Sequence, residues 1–137
     1  MDKLVGLGAT GVNIVNEFAN YPQYQCYRID VGIEGLKKNG YYSVDACSSA
    51  EEYEKSCPSV KNFLKNARHE IGLVMAGSGK ISGLSLALLE QVHDRKIHIM
   101  YIKAGERRMS KNAQMTERAT FGVLQEYARS GLFESFS

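Results

Sequence analysis

The chain has 137 residues and a formal net charge of +2, with 44% hydrophobic and 23% charged residues. That is enough apolar side chain for one domain around one core, and too little charge to point to nucleic acid or a membrane surface as a partner. The three cysteines, Cys26, Cys47 and Cys57, form no C-x-x-C pair; an odd count fits reduced thiols in a cytosol-like compartment.

Met1-Asp2-Lys3 leads directly into the first strand, so no signal peptide is expected ahead of the fold. No apolar run is long enough to span a bilayer. Lys3-Leu4-Val5 reads as a short buried strand. The next segment carries Val12, Val15, Phe18 and Ala19 on one helical face, and Tyr21-Pro22 ends that helix. Tyr24 to Asp30 reads as a second strand, with Cys26, Tyr27 and Ile29 available for the core. Residues 31–48 carry weak signals, among which Tyr41 to Val44 fits a short edge strand bounded by Asn39-Gly40. Ser49-Ala50-Glu51-Glu52 matches a capping box, in which the serine accepts from the third backbone N–H and the glutamate reaches back. A short helix is predicted from about residue 50.

Pro58 is suited to open another helix, since its missing N–H costs nothing at the first helical position. Val60, Phe63, Leu64 and Ala67 then follow at i, i+3, i+4 and i+7, the spacing of a buried helical stripe. Ile71 to Ala76 is a compact apolar run and reads as a central strand. Leu84, Leu88, Leu89 and Val92 form the core face of the next helix. Ile97 to Ile102 alternates as a strand, and Asn112 to Arg129 is a long helix closed by Ser130-Gly131. Helices between strands imply crossovers, hence a three-layer Rossmann-like α/β fold with a mostly parallel sheet and helices on both faces.

Two glycine-rich turns fall where strands hand over to helices: Gly6-Leu7-Gly8-Ala9-Thr10-Gly11 and Gly77-Ser78-Gly79-Lys80-Ile81-Ser82-Gly83. Such a turn offers backbone N–H groups and a favourable helix dipole to an anion. Two in one small domain, both at strand carboxyl ends, suggest one phosphorylated ligand, a nucleotide. Gly6, Gly8 and Gly11 satisfy the dinucleotide fingerprint, and Asp30 ends the second strand where that fingerprint wants an acid for the ribose hydroxyls. Without a ligand, the same residues make a tight strand-to-helix turn. The second turn is not a Walker P-loop, because Val74 occupies the required glycine position and Ile81 follows Lys80. Lys80 can still reach a phosphate and Ser82 can donate at the helix start. The plainer alternative is that Gly77 and Gly79 serve sterics alone while Lys80 is solvated.

These residues bring a family into view. Gly6 to Asn16, with Asn13 and Asn16 following the glycines, resembles the opening loop and first helix of FtsZ, the bacterial relative of tubulin. Gly77, Gly79, Ser82 and Gly83 match the tubulin/FtsZ signature loop GGGTGSG, with Ser78, Lys80 and Ile81 in place of Gly, Thr and Gly. Tyr101-Ile102-Lys103 with Gly105-Glu106-Arg107-Arg108-Met109 is similar to the segment after the fifth strand of FtsZ. The resemblance covers nearly the whole chain in order and spacing. It implies a single domain over residues 1–137, of the type of the N-terminal GTP-binding half of tubulin/FtsZ proteins and without their C-terminal domain. Gly8, Ala9, Thr10 and Gly11 would cradle phosphates, and Asn13 would lie near the guanine. Gly77 to Gly83 would wrap the β- and γ-phosphates, with Glu106 and Arg107 approaching the ribose and phosphates. The implied ligands are GTP or GDP, with or without Mg2+.

The departures bear on activity. Ile81 cannot take left-handed backbone angles as cheaply as glycine, so the signature loop is expected to be reshaped, with Lys80 substituting charge for lost N–H contacts. The family's water-activating loop lies in the following half and acts on a neighbouring subunit, and no Asn-x-Asp-x-x-Asp-like match occurs here. The chain ends where the family would continue into a sixth strand. No catalytic residue is assigned, and hydrolysis by this chain alone is expected to be absent or very slow.

The expected role is therefore guanine-nucleotide binding within a filament or particle assembly, with self-association or other subunits as partners. The expected place is the cytoplasm of a bacterial or phage-infected cell, or a virion. Two alternatives are a non-catalytic structural module, for example of a phage particle, and an NAD-type dinucleotide-binding domain. His69, His93 and His98 lack metal-ligand spacing. Lys103, Arg107, Arg108 and Lys111 form a basic cluster best read as a solvated face.

Overall fold

The structure, a computed structural model, describes residues 2–33, 40–77, 79–103, 110–129 and 135–136. In chain order its elements are β1 (Lys3–Leu7), α1 (Gly8–Phe18), β2 (Gln25–Val31), β3 (Tyr41–Val44), α2 (Ala50–Lys55), β4 (Glu70–Ala76), a 3₁₀ turn (Lys80–Gly83), α3 (Leu84–Gln91), β5 (Lys96–Ile102), α4 (Lys111–Arg129) and β6 (Ser135–Phe136). The strands form one sheet in the order β3-β2-β1-β4-β5-β6. Every pairing is parallel, so the fold is α/β and Rossmann-like. The strand order reverses at β1 and β4, and the connections leaving their carboxyl ends diverge and open a crevice there.

Burial follows from the apolar pattern. Ile71, Leu73, Val74 and Met75 of β4 are all at most 2% exposed, as a central strand covered on both faces requires. The larger core joins Val5, Leu7, Leu73, Met75, Ile97 and Ile99 to Tyr53 of α2, Leu88 and Leu89 of α3 and Leu124 of α4. The opposite face, Leu4 and Val74, packs under Val15, Ile14 and Phe18 of α1. Strand alternation sends neighbouring residues of β1 and β4 to these two cores.

Two expectations require correction. Residues 58–67 are not a helix but a run of turns. Gln91 governs the entry: its Oε1 accepts from the Val60 N–H at 2.7 Å and its Nε2 donates to the Pro58 carbonyl at 3.0 Å. After that entry one i→i−4 bond remains, Leu64 N–H to Val60 O at 2.9 Å, followed by Ala67 N–H to Leu64 O at 3.0 Å. Val60, Leu64 and Ala67 are still buried. The helical spacing thus found the core residues, but side-chain bonds to α3 set the backbone, since a helix this short has little stability of its own.

The second correction concerns the capping box. Ser49 Oγ accepts from the Glu52 N–H at 3.2 Å, as the motif predicts. The Glu52 carboxylate, however, reaches one residue further back, to the Ser48 N–H at 3.0 Å and the Ser48 hydroxyl at 2.7 Å. The Ser48 backbone bond, with the hydroxyl second, holds that carboxyl below its ordinary range.

The edge strand expected at Tyr41 to Val44 is found there, beside β2. At the other edge, Ser135 and Phe136 pair with His98 and Ile99 as a short sixth strand that the sequence did not announce. Ser130-Gly131, expected to close α4, lies outside the described residues.

Candidate functional site

The two glycine turns meet across the crevice. A cleft of about 360 Å³ is lined by Gly8, Ala9 and Thr10 from the first turn, Gly79 and Lys80 from the second, and Asp30 from the end of β2. Leu7, Val31, Tyr53, Ala76 and Ile81 complete its walls. Every backbone element that reaches it leaves the carboxyl end of a strand, apart from Tyr53 of α2.

The first turn is built by contact. A Cβ on Gly6 would lie 2.6 Å from Gly11 O, and one on Gly11 would lie 2.2 Å from Val74 O. Both glycines are therefore needed where β1, α1 and β4 touch backbone to backbone. Gly8 has φ of 76°, a left-handed value that a side chain adopts only at a cost. It turns the chain from β1 straight into α1. Among the described residues no side chain caps that helix, and its first turn contains no acidic residue. Its leading N–H groups therefore face the cleft without a side-chain acceptor, an arrangement suited to an anion.

The second turn is different. Gly79 has an extended backbone, φ −80° and ψ 150°, and leads into the 3₁₀ turn. Among the described residues, the glycines with positive φ are Gly8, Gly32 and Gly40, so Gly77, Gly79 and Gly83 are not used for left-handed angles. Gly77 and Gly83 instead make room: a Cβ on Gly77 would meet the Tyr101 hydroxyl at 1.6 Å, and one on Gly83 would meet Ala50 O at 2.0 Å. Ile81, the departure from the signature loop, sits in the 3₁₀ turn rather than in a left-handed conformation. Its Cγ2 would be 2.8 Å from a Cβ on Gly8, so the two turns touch through this side chain.

Not every predicted residue lines the cleft. Asn13 is exposed on α1, a turn beyond it. Asn16 accepts from Nε of Arg28, a buried arginine that also stacks on Tyr41, 4.5 Å from the ring centre. Ser82 is buried, donating to Gly77 O at 3.2 Å and standing 3.3 Å from the Thr120 hydroxyl. Gly83 packs beneath α2. Ser78, Glu106 and Arg107 lie outside the described residues, as do Gly105, Arg108 and Met109.

Asp30 uses one carboxylate oxygen to accept from the Val31 N–H at 2.8 Å, which orients the carboxylate and leaves its second oxygen for a hydroxyl donor. Lys80 supplies the positive side chain of the lining. Behind Gly77, burial pushes the Tyr101 hydroxyl well above its ordinary range, and the neighbouring Glu117 carboxylate adds to the effect. Tyr53, which sequence reasoning missed as a cleft residue, carries no motif and arrives by packing, whereas Ile81 belongs to the second glycine turn and was read only as a departure from the signature loop. The described residues contain no group of three or more His, Cys, Asp and Glu that could hold a metal ion. His98 pairs with Glu70 at 3.0 Å. All three cysteines are free. No helix among the described residues is long and apolar enough to cross a membrane.

No protein-family model matches the chain, and no curated protein matches it.

Proposed function

We propose that the cleft binds a nucleotide by its phosphates, with guanine preferred, and that the chain is a tubulin/FtsZ-like domain serving in a filament or particle assembly. One observation carries the nucleotide reading: two glycine turns from different strands line a single cleft at the strand-order reversal. The uncapped start of α1 and the ammonium of Lys80 complement a phosphate chain. Preference for GTP or GDP, with or without Mg2+, and head-to-tail self-association rest on the resemblance of Gly6–Asn16 and Gly77–Gly83 to the FtsZ loops. Hydrolysis is absent or very slow in this reading, because the water-activating loop would have to come from elsewhere.

Two other readings each have an observation in their favour. Asp30 lines the same cleft as the glycine fingerprint, the arrangement that receives the ribose of a dinucleotide such as NAD. Ile81 packs over Gly8, which favours a structural module that keeps the turns as architecture and binds no nucleotide.

Calorimetric titration with GTP, GDP, ATP and NAD, with and without Mg2+, separates the three. Guanine-selective binding supports the first, NAD preference the second, and no binding of any of them the third. Gly8→Val should abolish nucleotide binding. Lys80 is exposed, so Lys80→Ala should leave the fold intact and weaken binding by about tenfold, the loss of one charge-assisted contact.

A further inference from the structure

A second groove, of about 340 Å³, runs on the far side of the 3₁₀ turn between α2, α3 and α4. Its α4 wall is a stripe of Met115, Ala119 and Val123 at i, i+4 and i+8. Met115 is 60% and Val123 38% exposed, making two of the four large apolar side chains that stand exposed in the described chain. The floor makes no polar demand. Ser82 is held by Gly77 O and the Thr120 hydroxyl, and Ser85 donates to Ser82 O at 2.7 Å. Thr116 likewise donates to Asn112 O at 3.0 Å, so the hydroxyls are already engaged. The carboxylates Glu51 and Glu54 stand on the α2 wall, and apolar side chains would dehydrate the α4 stripe at no cost in lost hydrogen bonds.

We infer that this groove is a self-association surface, filled by α4 of a second copy of the chain related by a twofold axis. The stripe is self-complementary: small Ala119 at the centre lets two antiparallel helices approach closely, and Met115 then lies opposite Val123 of the second copy. An isologous contact has to match its own reverse in this way. Charge agrees as well. The α2 wall of the groove presents the exposed carboxylates Glu51 and Glu54, and the helix that would enter it begins with exposed Lys111. This surface is separate from the nucleotide cleft, and the inference stands whether or not that cleft binds a nucleotide.

Sedimentation equilibrium of the full chain, with and without Ala119→Arg, tests it. The parent chain should associate to twice its 15.2 kDa mass, and the exposed-site variant should keep its circular dichroism melt while dimerising at least about tenfold more weakly. Under mild oxidation, Ala119→Cys should form a disulfide between two copies of residue 119, identified as that peptide by mass spectrometry. Met115→Cys should cross-link to Val123→Cys in a mixture and not to itself. A parent chain that stays monomeric overturns the inference and leaves the groove to a different protein. A dimer indifferent to Ala119→Arg, or lacking the 119–119 peptide, overturns it by placing the contact on another surface.

Discussion

The first and second glycine turns look alike as sequence and do different physical work. In the first, Gly6 and Gly11 let β1, α1 and β4 touch, and Gly8 takes a left-handed angle that opens the helix N-terminus to the cleft. In the second, no described glycine takes positive φ. Gly77 and Gly83 accommodate Tyr101 and Ala50, Gly79 has open space, and Lys80 and Ile81 reach the cleft through a 3₁₀ turn. A glycine in such a loop therefore has no single meaning. One is a dihedral requirement, several are contacts between neighbours, and one is structurally free.

Substitution at each position should rank the two turns. The largest effect is expected at Gly11→Ala, where the new Cβ faces a backbone oxygen, Val74 O, at 2.2 Å. Because a carbonyl in a central strand cannot swing aside, we expect a loss of about 3 kcal/mol or more in urea unfolding. Gly77→Ala should cost less, about 2 kcal/mol, since its neighbour is the tip of a side chain. Adding Tyr101→Phe should recover part of that loss; equal losses in the single and double variants would show that the hydroxyl is not the obstacle.

The same tyrosine should make stability pH-dependent in the alkaline range. Burial, with Glu117 second, raises the hydroxyl's pKa in the folded protein. The unfolded chain then loses this proton first, so the stabilisation is complete below about pH 10 and declines as pH rises above it. Tyr101→Phe should flatten the alkaline limb of a stability–pH curve. The smallest effect is expected at Gly79→Ala, where no atom lies within 4 Å of the added Cβ. A change within about 0.5 kcal/mol is expected, and a larger loss would mean that the second turn shares the strict demands of the first.

Apolar runs and their periods were enough to place β1, β2, β4 and β5, the helices α1, α3 and α4, and the parallel α/β class, because burial on one or both faces leaves its period in the chain, while the capping box marked α2 and the Asn39-Gly40 turn bounded β3. The turns themselves were legible through their glycines, as was Asp30. What the local pattern could not encode was competition between distant groups. Gln91 converted an expected helix at 58–67 into turns while leaving Val60, Leu64 and Ala67 in the core. Ser82, read as a donor to a ligand, is taken up by Gly77 and Thr120. Tyr53 entered the cleft with no motif to announce it, and Ile81, read only as a departure from the signature loop, became one of its walls.

By itself, then, the sequence determined most of the apolar core and where strands pass into helices, since solvent exclusion acts on each residue's own side chain. Only the tertiary structure decided which glycine needs its angle and which its emptiness, and which polar group is already paired. Those properties belong to the neighbour across the gap, and the chain brings that neighbour close only once it has folded.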